Sequence, residues 1–214
     1  MKNTDIRKIR KSMEKSLEEK RYEHTLGVAY TAAALAMCHG ASVESAELAG
    51  LLHDCAKGMD EEKSISFCEK HHIGITDVER RKPQLLHAKV GSFLAMNTYK
   101  VRDKDVINAI LNHTTGRPGM SLLEKIIFVA DYIEPGRKQA PHLAEIRRLA
   151  FQNLDNALQQ ILEDTILYLR DFPDDIDPMT EKTLEYYRKE KMDKEKSGFH
   201  NRTVWKMHSV EQSM

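Results

Sequence analysis

The chain has 214 residues, and its 33 lysine and arginine residues balance 33 aspartate and glutamate residues, so the formal net charge is zero. This balance argues against general nucleic-acid binding, which depends on a basic surplus that releases counterions from the phosphate backbone. Hydrophobic residues make up 41% of the chain. That fraction is enough to bury a core, so we expect one folded domain rather than a disordered chain.

The distribution of apolar residues and cysteines predicts a cytoplasmic protein. No apolar stretch approaches the roughly 20 residues that a membrane span needs. The N-terminal residues also lack the continuous apolar core of a signal peptide. Cys38, Cys55 and Cys68 are odd in number and show no C-x-x-C spacing, which argues against a disulfide framework and a zinc knuckle. We therefore expect reduced thiols.

Apolar residues recur at intervals of three and four along nearly the whole chain, and no run alternates with period two, so the predicted fold class is all-α. The best-marked helix start is Ser121-Leu-Leu-Glu124, which has the pattern of a capping box. In chain order, we predict helices with apolar positions at 6, 9, 13 and 17, over 22–37, from 42 toward 58, over 60–70, 86–99, 105–113 and 121–133, one with Pro141 in its first turn, one over 154–169 and one over 177–189.

The composition changes near the C-terminus, where charged residues continue from Arg188 with little apolar periodicity. We expect residues 1–20 to form an N-terminal helix packed on the domain, residues 21–190 to form the domain, and residues 191–214 to form a charged, disordered tail. Trp205 is the one tail residue that would favour docking instead.

Several polar residues lie in or beside apolar helical stretches. His53 and Asp54 stand in the run Ala-Gly-Leu-Leu-His-Asp-Cys-Ala-Lys, and a buried carboxylate is costly unless a metal or another charge compensates it. The same context recurs at four other positions, namely His24, His87, His113 and Asp131. Each could be a satisfied core residue, but together they indicate one metal centre. Imidazoles with a few carboxylates suit Fe, Mn or Zn, whereas Ca²⁺ and Mg²⁺ prefer oxygen ligands.

The order H…HD…H…H…D resembles the signature of the HD superfamily of metal-dependent phosphohydrolases. Within it, segments 49–57, 113–125 and 130–137 resemble the YqeK family, whose members are symmetrical bis(5'-nucleosyl)-tetraphosphatases that act on diadenosine tetraphosphate. The resemblance covers roughly residues 20 to 188. It implies an HD-domain helical bundle that hydrolyses this substrate to two ADP.

The resemblance also implies residue roles. His24, His53, Asp54 and Asp131 would ligate a divalent metal, iron first, with Mn or Zn as alternatives. Asp54, Lys57 and Asp131 would be catalytic. His87 and His113 would hold a second metal or the phosphates. The implied substrate-binding residues are His24, Lys57, His87, His113, Thr114, Asp131, Arg137, Asp174, Asp175, Ile176, Asp177, Pro178 and Met179.

One position departs from the family pattern. Family members often carry Ile-His-Pro where this chain has Ile176-Asp177-Pro178. An imidazole beside the polyphosphate is therefore missing here.

Two basic residues suit phosphoryl chemistry. A bound metal supplies an activated water and polarises a phosphoryl oxygen, so no serine or cysteine nucleophile is needed. Lys57 follows Asp54 by three residues, which on a helix places the ammonium on the same face; it could instead interact with the helix dipole. Arg137 follows the helix that carries Asp131, and its planar fork suits phosphate, although it could be an ordinary surface arginine.

Two other functions stay open from the sequence. One is an HD-type nucleotidase or phosphodiesterase that acts on another nucleotide. The other is a helical adaptor whose metal only stabilises the fold, although Lys57 and Arg137 argue against a closed structural site. The apolar stripe over 154–169 fits either the core or a dimer face, so a homodimer is a further expectation. We expect neither nucleic-acid nor membrane partners.

Overall fold

The computed structural model describes residues 5–172 and 175–211, with side chains described up to residue 196. Within these ranges the chain is helical and contains no strand, so the all-α prediction is confirmed. The helices are α1 Ile6–Ser16, α2 Glu19–His39, α3 Val43–Leu52, α4 Glu61–Lys70, α5 Asp77–Arg81, a short 3-10 helix Pro83–Leu86, α6 His87–Asn97, α7 Lys104–Asn112, α8 Leu122–Ile133, α9 Leu143–Ala150, α10 Leu154–Leu169 and α11 Pro178–Glu211.

Helix α8 is the central element of the core. It packs against α2, α3, α7, α9 and α10, and its residues 126–130 are all buried. A helix that is apolar on every side needs such surroundings. The predicted capping box is present, because the Ser121 hydroxyl accepts the Glu124 N–H and the Glu124 carboxylate accepts the Ser121 N–H. This start fixes the register that brings Asp131 to the last turn of the helix.

Helices α2 and α3 approach each other closely at Gly50. A Cβ at this position would lie 2.6 Å from the Cα of Ala29, so only glycine allows this separation. Helix α1 packs on the same pair, with Ile9 and Met13 buried. The close packing brings the middle of α2 next to the segment that follows α3.

The segment after α3 differs from the prediction of a helix that continues toward Gly58. Helix α3 ends at Leu52, and residues 53–58 form turns. Cys55 and Lys57 donate their N–H groups to carbonyls three residues back. His53 Nδ1 also donates to the carbonyl oxygen of Gly50, at 2.7 Å. This local side-chain bond competes with the helical pattern.

Smaller differences concern other predicted boundaries. The loop expected around Pro83 contains α5 and the short 3-10 helix, which has proline in its first turn. Pro141 precedes α9 by two residues, because His142 at the N-cap adopts a left-handed conformation with φ of 49°.

The last helix passes its predicted end near Lys189 and reaches Glu211. Lys194 supports this extension, because its ammonium lies 3.1 Å from Asp155 and 3.7 Å from Glu190 one turn earlier. The disordered tail over 191–214 stays a prediction, and the Trp205 side chain lies outside the described part. In the residues that the structure describes, no helix has the length and apolar character needed to cross a membrane.

Candidate metal centre

Six predicted residues from different parts of the chain converge beside α8. Two follow α3 directly, two stand at the ends of α6 and α7, and two lie within α2 and α8. His24 and Asp131 are partly exposed, and the other four are buried. The six are His24, His53, Asp54, His87, His113 and Asp131.

Asp54 lies at the centre of this cluster. Its Oδ1 is 3.2 Å from His87 Nε2 and 3.7 Å from His113 Nε2. Its Oδ2 is 3.5 Å from His53 Nε2 and 3.9 Å from His24 Nε2. One carboxylate therefore faces the Nε2 atoms of four imidazoles.

Asp131 provides the second carboxylate at the more open side of the cluster. Its Oδ1 is 3.1 Å from His24 Nε2 and 4.0 Å from His53 Nε2. The donor atoms therefore form two sets in which all members lie within 4.8 Å of one another. One set is His24, His53 and Asp131, and the other is His53, Asp54 and His113.

The opposite ring nitrogen, Nδ1, has an oxygen partner in each of the four histidines. Three bond the carbonyl three residues earlier: His53 to Gly50 at 2.7 Å, His87 to Gln84 at 2.6 Å and His113 to Ile110 at 2.7 Å. The fourth, His24, lies 3.2 Å from the carboxylate of Glu134. These oxygens only accept, so the ring protons are on Nδ1.

All four Nε2 atoms consequently point lone pairs toward carboxylate oxygens or toward each other. Nε2 of His24 and Nε2 of His53 are buried and make no hydrogen bond among the described residues. His87 Nε2 and His113 Nε2 are only 3.1 Å apart. Such an array of acceptors needs a cation between its members, and neutral imidazole with carboxylate is a donor set that transition metals accept. The residues therefore fit a divalent metal.

The protonation energetics agree with this arrangement. Burial would raise the pKa of Asp54, but His53, His113 and His87 outweigh it and hold that pKa well below its usual range. Burial lowers the pKa of His53 to about 4, against the attraction of Asp54. Asp54 is thus ionised and His53 neutral near pH 7, as metal ligands must be.

A guanidinium contacts each of the two cluster carboxylates. Arg21 Nη1 donates to Asp54 Oδ2 at 2.8 Å. Arg137 Nη2 donates to Asp131 Oδ1 at 3.0 Å, and its Nε donates to the Asp131 carbonyl. Both arginine side chains are more than a third exposed, so a ligand can reach them.

Lys57 occupies a different place from the one predicted. Because the chain leaves the helix at Leu52, Lys57 does not share a helical face with Asp54. Its ammonium lies 3.3 and 3.5 Å from the two ring nitrogens of His87. The cation still borders the cluster, but on the His87 side.

Two pockets share Thr114, which follows the cluster residue His113. One, of about 250 Å³, is lined by His113, Asp131 and Arg137 among others. The other, of about 200 Å³, is lined by Asp177 and Met179 among others. Each is smaller than a whole dinucleotide site, and both open near the phosphate-binding candidates.

The predicted substrate segment 174–179 lies at the second pocket only in part. Asp175 forms a 3.0 Å ion pair with Lys82, and Ile176 is half-buried. Asp177 accepts the Met179 N–H at 2.8 Å and so caps α11, which begins at Pro178. The aspartate that replaces the family's histidine thus has a structural role. Asp174 lies outside the described residues.

Two polar residues of the cluster were missed in the sequence. Arg21 precedes His24 by three residues, and Glu134 follows Asp131 by three. Side chains at this spacing lie on the same side of a helix. The spacing was therefore a usable signal for both, although Glu134 stands just past the end of α8.

Comparisons with known proteins agree with this geometry. The family model described as HD domain matches residues 21–136. The chain is 44% identical over 159 residues to the symmetrical bis(5'-nucleosyl)-tetraphosphatase of Bacillus subtilis (strain 168), covering 73% of this chain and 83% of the relative. It is 43% identical over 153 residues to the enzyme of the same name from Halalkalibacterium halodurans, covering 72% and 81%.

A solved structure is also similar. It is the crystal structure of a predicted HD superfamily hydrolase involved in NAD metabolism from Clostridium acetobutylicum. The TM-score is 0.82 at 42% identity, and the match covers 86% of this chain and 96% of that one.

Proposed function

The chain belongs to the HD domain family and, within it, to the symmetrical bis(5'-nucleosyl)-tetraphosphatases, and from this premise we propose that it hydrolyses diadenosine tetraphosphate symmetrically to two ADP. It is a hydrolase of phosphoric anhydride bonds and binds a divalent metal. The observation that carries the proposal is the set of four Nε2 lone pairs that face two carboxylates beside exposed cations.

The metal ligands of this proposal are His24, His53, Asp54 and Asp131. His87 and His113 supply a second position, since their Nε2 atoms lie near Asp54 Oδ1. When bound, the metal supplies an activated water and polarises a phosphoryl oxygen. We propose iron as the ion, with Mn or Zn as alternatives, in one or two positions.

The charge balance explains why the metal is needed for substrate binding as well as for chemistry. Three carboxylates lie in or beside the cluster and three cationic side chains border it, so the formal charges of these six residues cancel. They are Asp54, Asp131 and Glu134 against Arg21, Lys57 and Arg137. A polyphosphate is strongly anionic, and the ion provides the missing positive charge.

The cationic side chains have the task of holding phosphates on different sides of the cluster. Arg137 and Arg21 now bond the oxygens of Asp131 and Asp54. As metal ligands, Asp131 and Asp54 would be engaged by the ion, and the guanidinium N–H groups would then be available to phosphate. Lys57, at the His87 side, provides a third contact to developing charge. Thr114 lines both pockets, and Asp177 and Met179 line one of them. In this proposal, Thr114 and residues 175–179 contact the rest of the substrate.

The product analysis described below also tests the two alternative functions that the sequence leaves open. An HD nucleotidase or phosphodiesterase would use the same cluster on a smaller or cyclic nucleotide. A structural metal would need no arginines on its ligand carboxylates and no adjoining pocket, so the adaptor hypothesis has less support. The homodimer and the cytoplasmic location stay predictions.

The test is product analysis with metal-defined enzyme. Purified protein is stripped of metal, reconstituted with Fe²⁺, Mn²⁺ or Zn²⁺, and incubated with a panel of dinucleoside polyphosphates, nucleoside monophosphates, dNTPs and cyclic dinucleotides. We expect ADP as the sole nucleotide product from diadenosine tetraphosphate at early times. AMP and ATP in equal amounts, or hydrolysis of only the other nucleotides, would refute the symmetrical activity.

A further inference from the structure

Glu134 is buried behind His24, on the side away from the other ligands. Its Oε1 lies 3.2 Å from His24 Nδ1, and its Oε2 accepts the N–H of Gly136. The residue is only 4% exposed. A buried carboxylate is unfavourable unless its oxygens are paired, and here each oxygen has its own donor.

Two glycines leave room for this carboxylate. A Cβ on Gly27 would lie 2.6 Å from Glu134 Oε2, and a Cβ on Gly136 would lie 2.9 Å from the same atom. At either distance, a Cβ would force the Glu134 carboxylate to move. The carboxylate therefore occupies space that both α2 and the turn after α8 leave open.

Arg147 of α9 holds the backbone that carries Glu134. Its Nε donates to the carbonyl of Ile133 at 2.9 Å, and its Nη2 donates to the carbonyls of Glu134 and Arg137 at 2.8 and 3.0 Å. Charged donors form the stronger class of hydrogen bond. The turn from α8 is thereby fixed at three carbonyl groups.

His24 needs a side-chain partner for a reason that its position in the chain supplies. The other three histidines stand at helix ends or in turns, where the carbonyl three residues back is free to accept. His24 lies inside α2, whose carbonyls are engaged by the helix itself. Without Glu134, the His24 Nδ1–H would lose the oxygen partner that favours this tautomer.

We propose that Glu134 is a positioning residue, which holds the His24 ring and its Nδ1–H tautomer so that the Nε2 lone pair is directed at the metal position beside Asp131. The proposal rests on the proposed metal centre, but not on the identity of the nucleotide. Carboxylates that bond ligand histidines in this way typically change metal affinity by about 10- to 100-fold when they are mutated.

The main test is Glu134→Gln in the full chain. Glutamine keeps only one acceptor oxygen and removes the negative charge, so the bond to His24 Nδ1 is weakened or lost. We expect the apparent affinity for Mn²⁺, measured by competition with a chelator in the absence of nucleotide, to fall about 10- to 100-fold. Affinity equal to that of the wild type would overturn the proposal.

Asp164→Asn provides a matched control. Asp164 is also a buried carboxylate, and it accepts from His142 Nδ1 at 2.9 Å, but neither residue belongs to the metal-ligand sets. We expect this variant to keep wild-type Mn²⁺ affinity. An equal loss of affinity in both variants would indicate a general effect of removing a buried charge and would overturn the positioning role.

A spectroscopic measurement separates positioning from folding. In metal-free protein, the ¹⁵N shifts of the His24 ring report which nitrogen carries the proton. We expect the Nδ1–H form in the wild type and a loss of that preference in Glu134→Ala. Gly27→Ala, which places a methyl group against Oε2, provides a second variant and should lower Mn²⁺ affinity in the same direction. An unchanged His24 tautomer in Glu134→Ala would contradict the proposal.

Different results would refute the proposed function and the proposed role of Glu134. A wild-type protein that binds Mn²⁺ but leaves diadenosine tetraphosphate intact would refute the proposed function and leave Glu134 in its role. Wild-type Mn²⁺ affinity in Glu134→Gln would refute only the role of Glu134.

Discussion

In the part of the chain whose side chains the structure describes, histidine meets buried carboxylate in two regions, which differ in how their hydrogen bonds are satisfied. In the first, between α9 and α10, Asp164 accepts from His142 Nδ1 at 2.9 Å and from Gln160 Nε2 at 3.0 Å. In the second, around Asp54, four imidazoles present unprotonated Nε2 atoms to two carboxylates. The hydrogen bonds of the first region are satisfied and have a structural role. The second region contains more acceptor atoms than donors.

This difference shows what distinguishes a metal centre from a buried polar pair. Both regions combine histidine with aspartate, and the Asp54 and Asp164 side chains are equally buried. The His142 side chain is 53% exposed, and its Nδ1 donates to the Asp164 carboxylate. At the cluster, each Nδ1 proton is used elsewhere, so the Nε2 lone pairs require a cation. The donor and acceptor balance, rather than composition, identifies the site.

The largest effect is expected from Asp54→Ala. Asp54 faces all four imidazoles, so its loss removes the central ligand and leaves only one of the two carboxylates. We expect little bound metal and a rate lower by orders of magnitude, with helical circular dichroism retained. Metal content in the purified variant, measured by plasma mass spectrometry, checks this; a normal metal content would be incompatible with the assignment.

Arg137→Ala should have the next largest effect. The guanidinium lies on Asp131 at the open side of the cluster and is 45% exposed. Loss of a charge-assisted hydrogen bond to phosphate should reduce kcat/KM by roughly 1.5–3 kcal/mol, about 10- to 150-fold, without removing the metal. Steady-state kinetics and metal analysis on the same sample test this. An unchanged kcat/KM would place Arg137 outside the substrate site.

The pH dependence of metal affinity should report the protonation of His24. Burial lowers its pKa, but Asp131 and Glu134 together raise it above the usual value. A metal and a proton compete for Nε2, so metal binding must weaken as pH falls through that pKa. For a group with an ordinary pKa near 6.5, the fall in affinity from pH 8 to pH 6 would be about fourfold, and the raised pKa makes it larger. Chelator competition across this range measures it, and a flat profile would contradict the prediction.

The smallest effect on the metal is expected at the other region. Asp164→Asn should lower the free energy of unfolding by about 1–3 kcal/mol, because an amide replaces the buried carboxylate that accepts from His142 and Gln160. Urea denaturation measures this loss. Metal content and kcat should match those of the wild type, and a drop in metal content would erase the distinction between the two regions.

The predictable part of the fold is the part whose local signals agree with its tertiary surroundings. The capping box at Ser121 and the apolar residues 126–130 together predicted α8, and both occur as expected. The grouping of the six histidine and aspartate residues was likewise accessible, because polar residues in apolar helical contexts must be compensated. Their convergence in space follows from the resemblance and is present in the structure.

Other features depend on bonds between distant segments and could not be read locally. The His53 Nδ1 donates to the carbonyl oxygen of Gly50, and this hydrogen bond helps to end α3 at Leu52. Lys194 of α11 bonds Asp155 of α10, which lies 39 residues earlier. Glu134 pairs with His24 across 110 residues. No periodicity reports such contacts.

The central claim is that the cluster around Asp54 holds the metal that drives symmetrical hydrolysis. The most direct measurement is the nucleotide product formed from diadenosine tetraphosphate as metal-stripped protein is titrated with Mn²⁺. We expect no hydrolysis by the metal-free protein. ADP should rise as the sole product in proportion to bound metal. Equal hydrolysis before and after stripping, or formation of AMP and ATP, would contradict it.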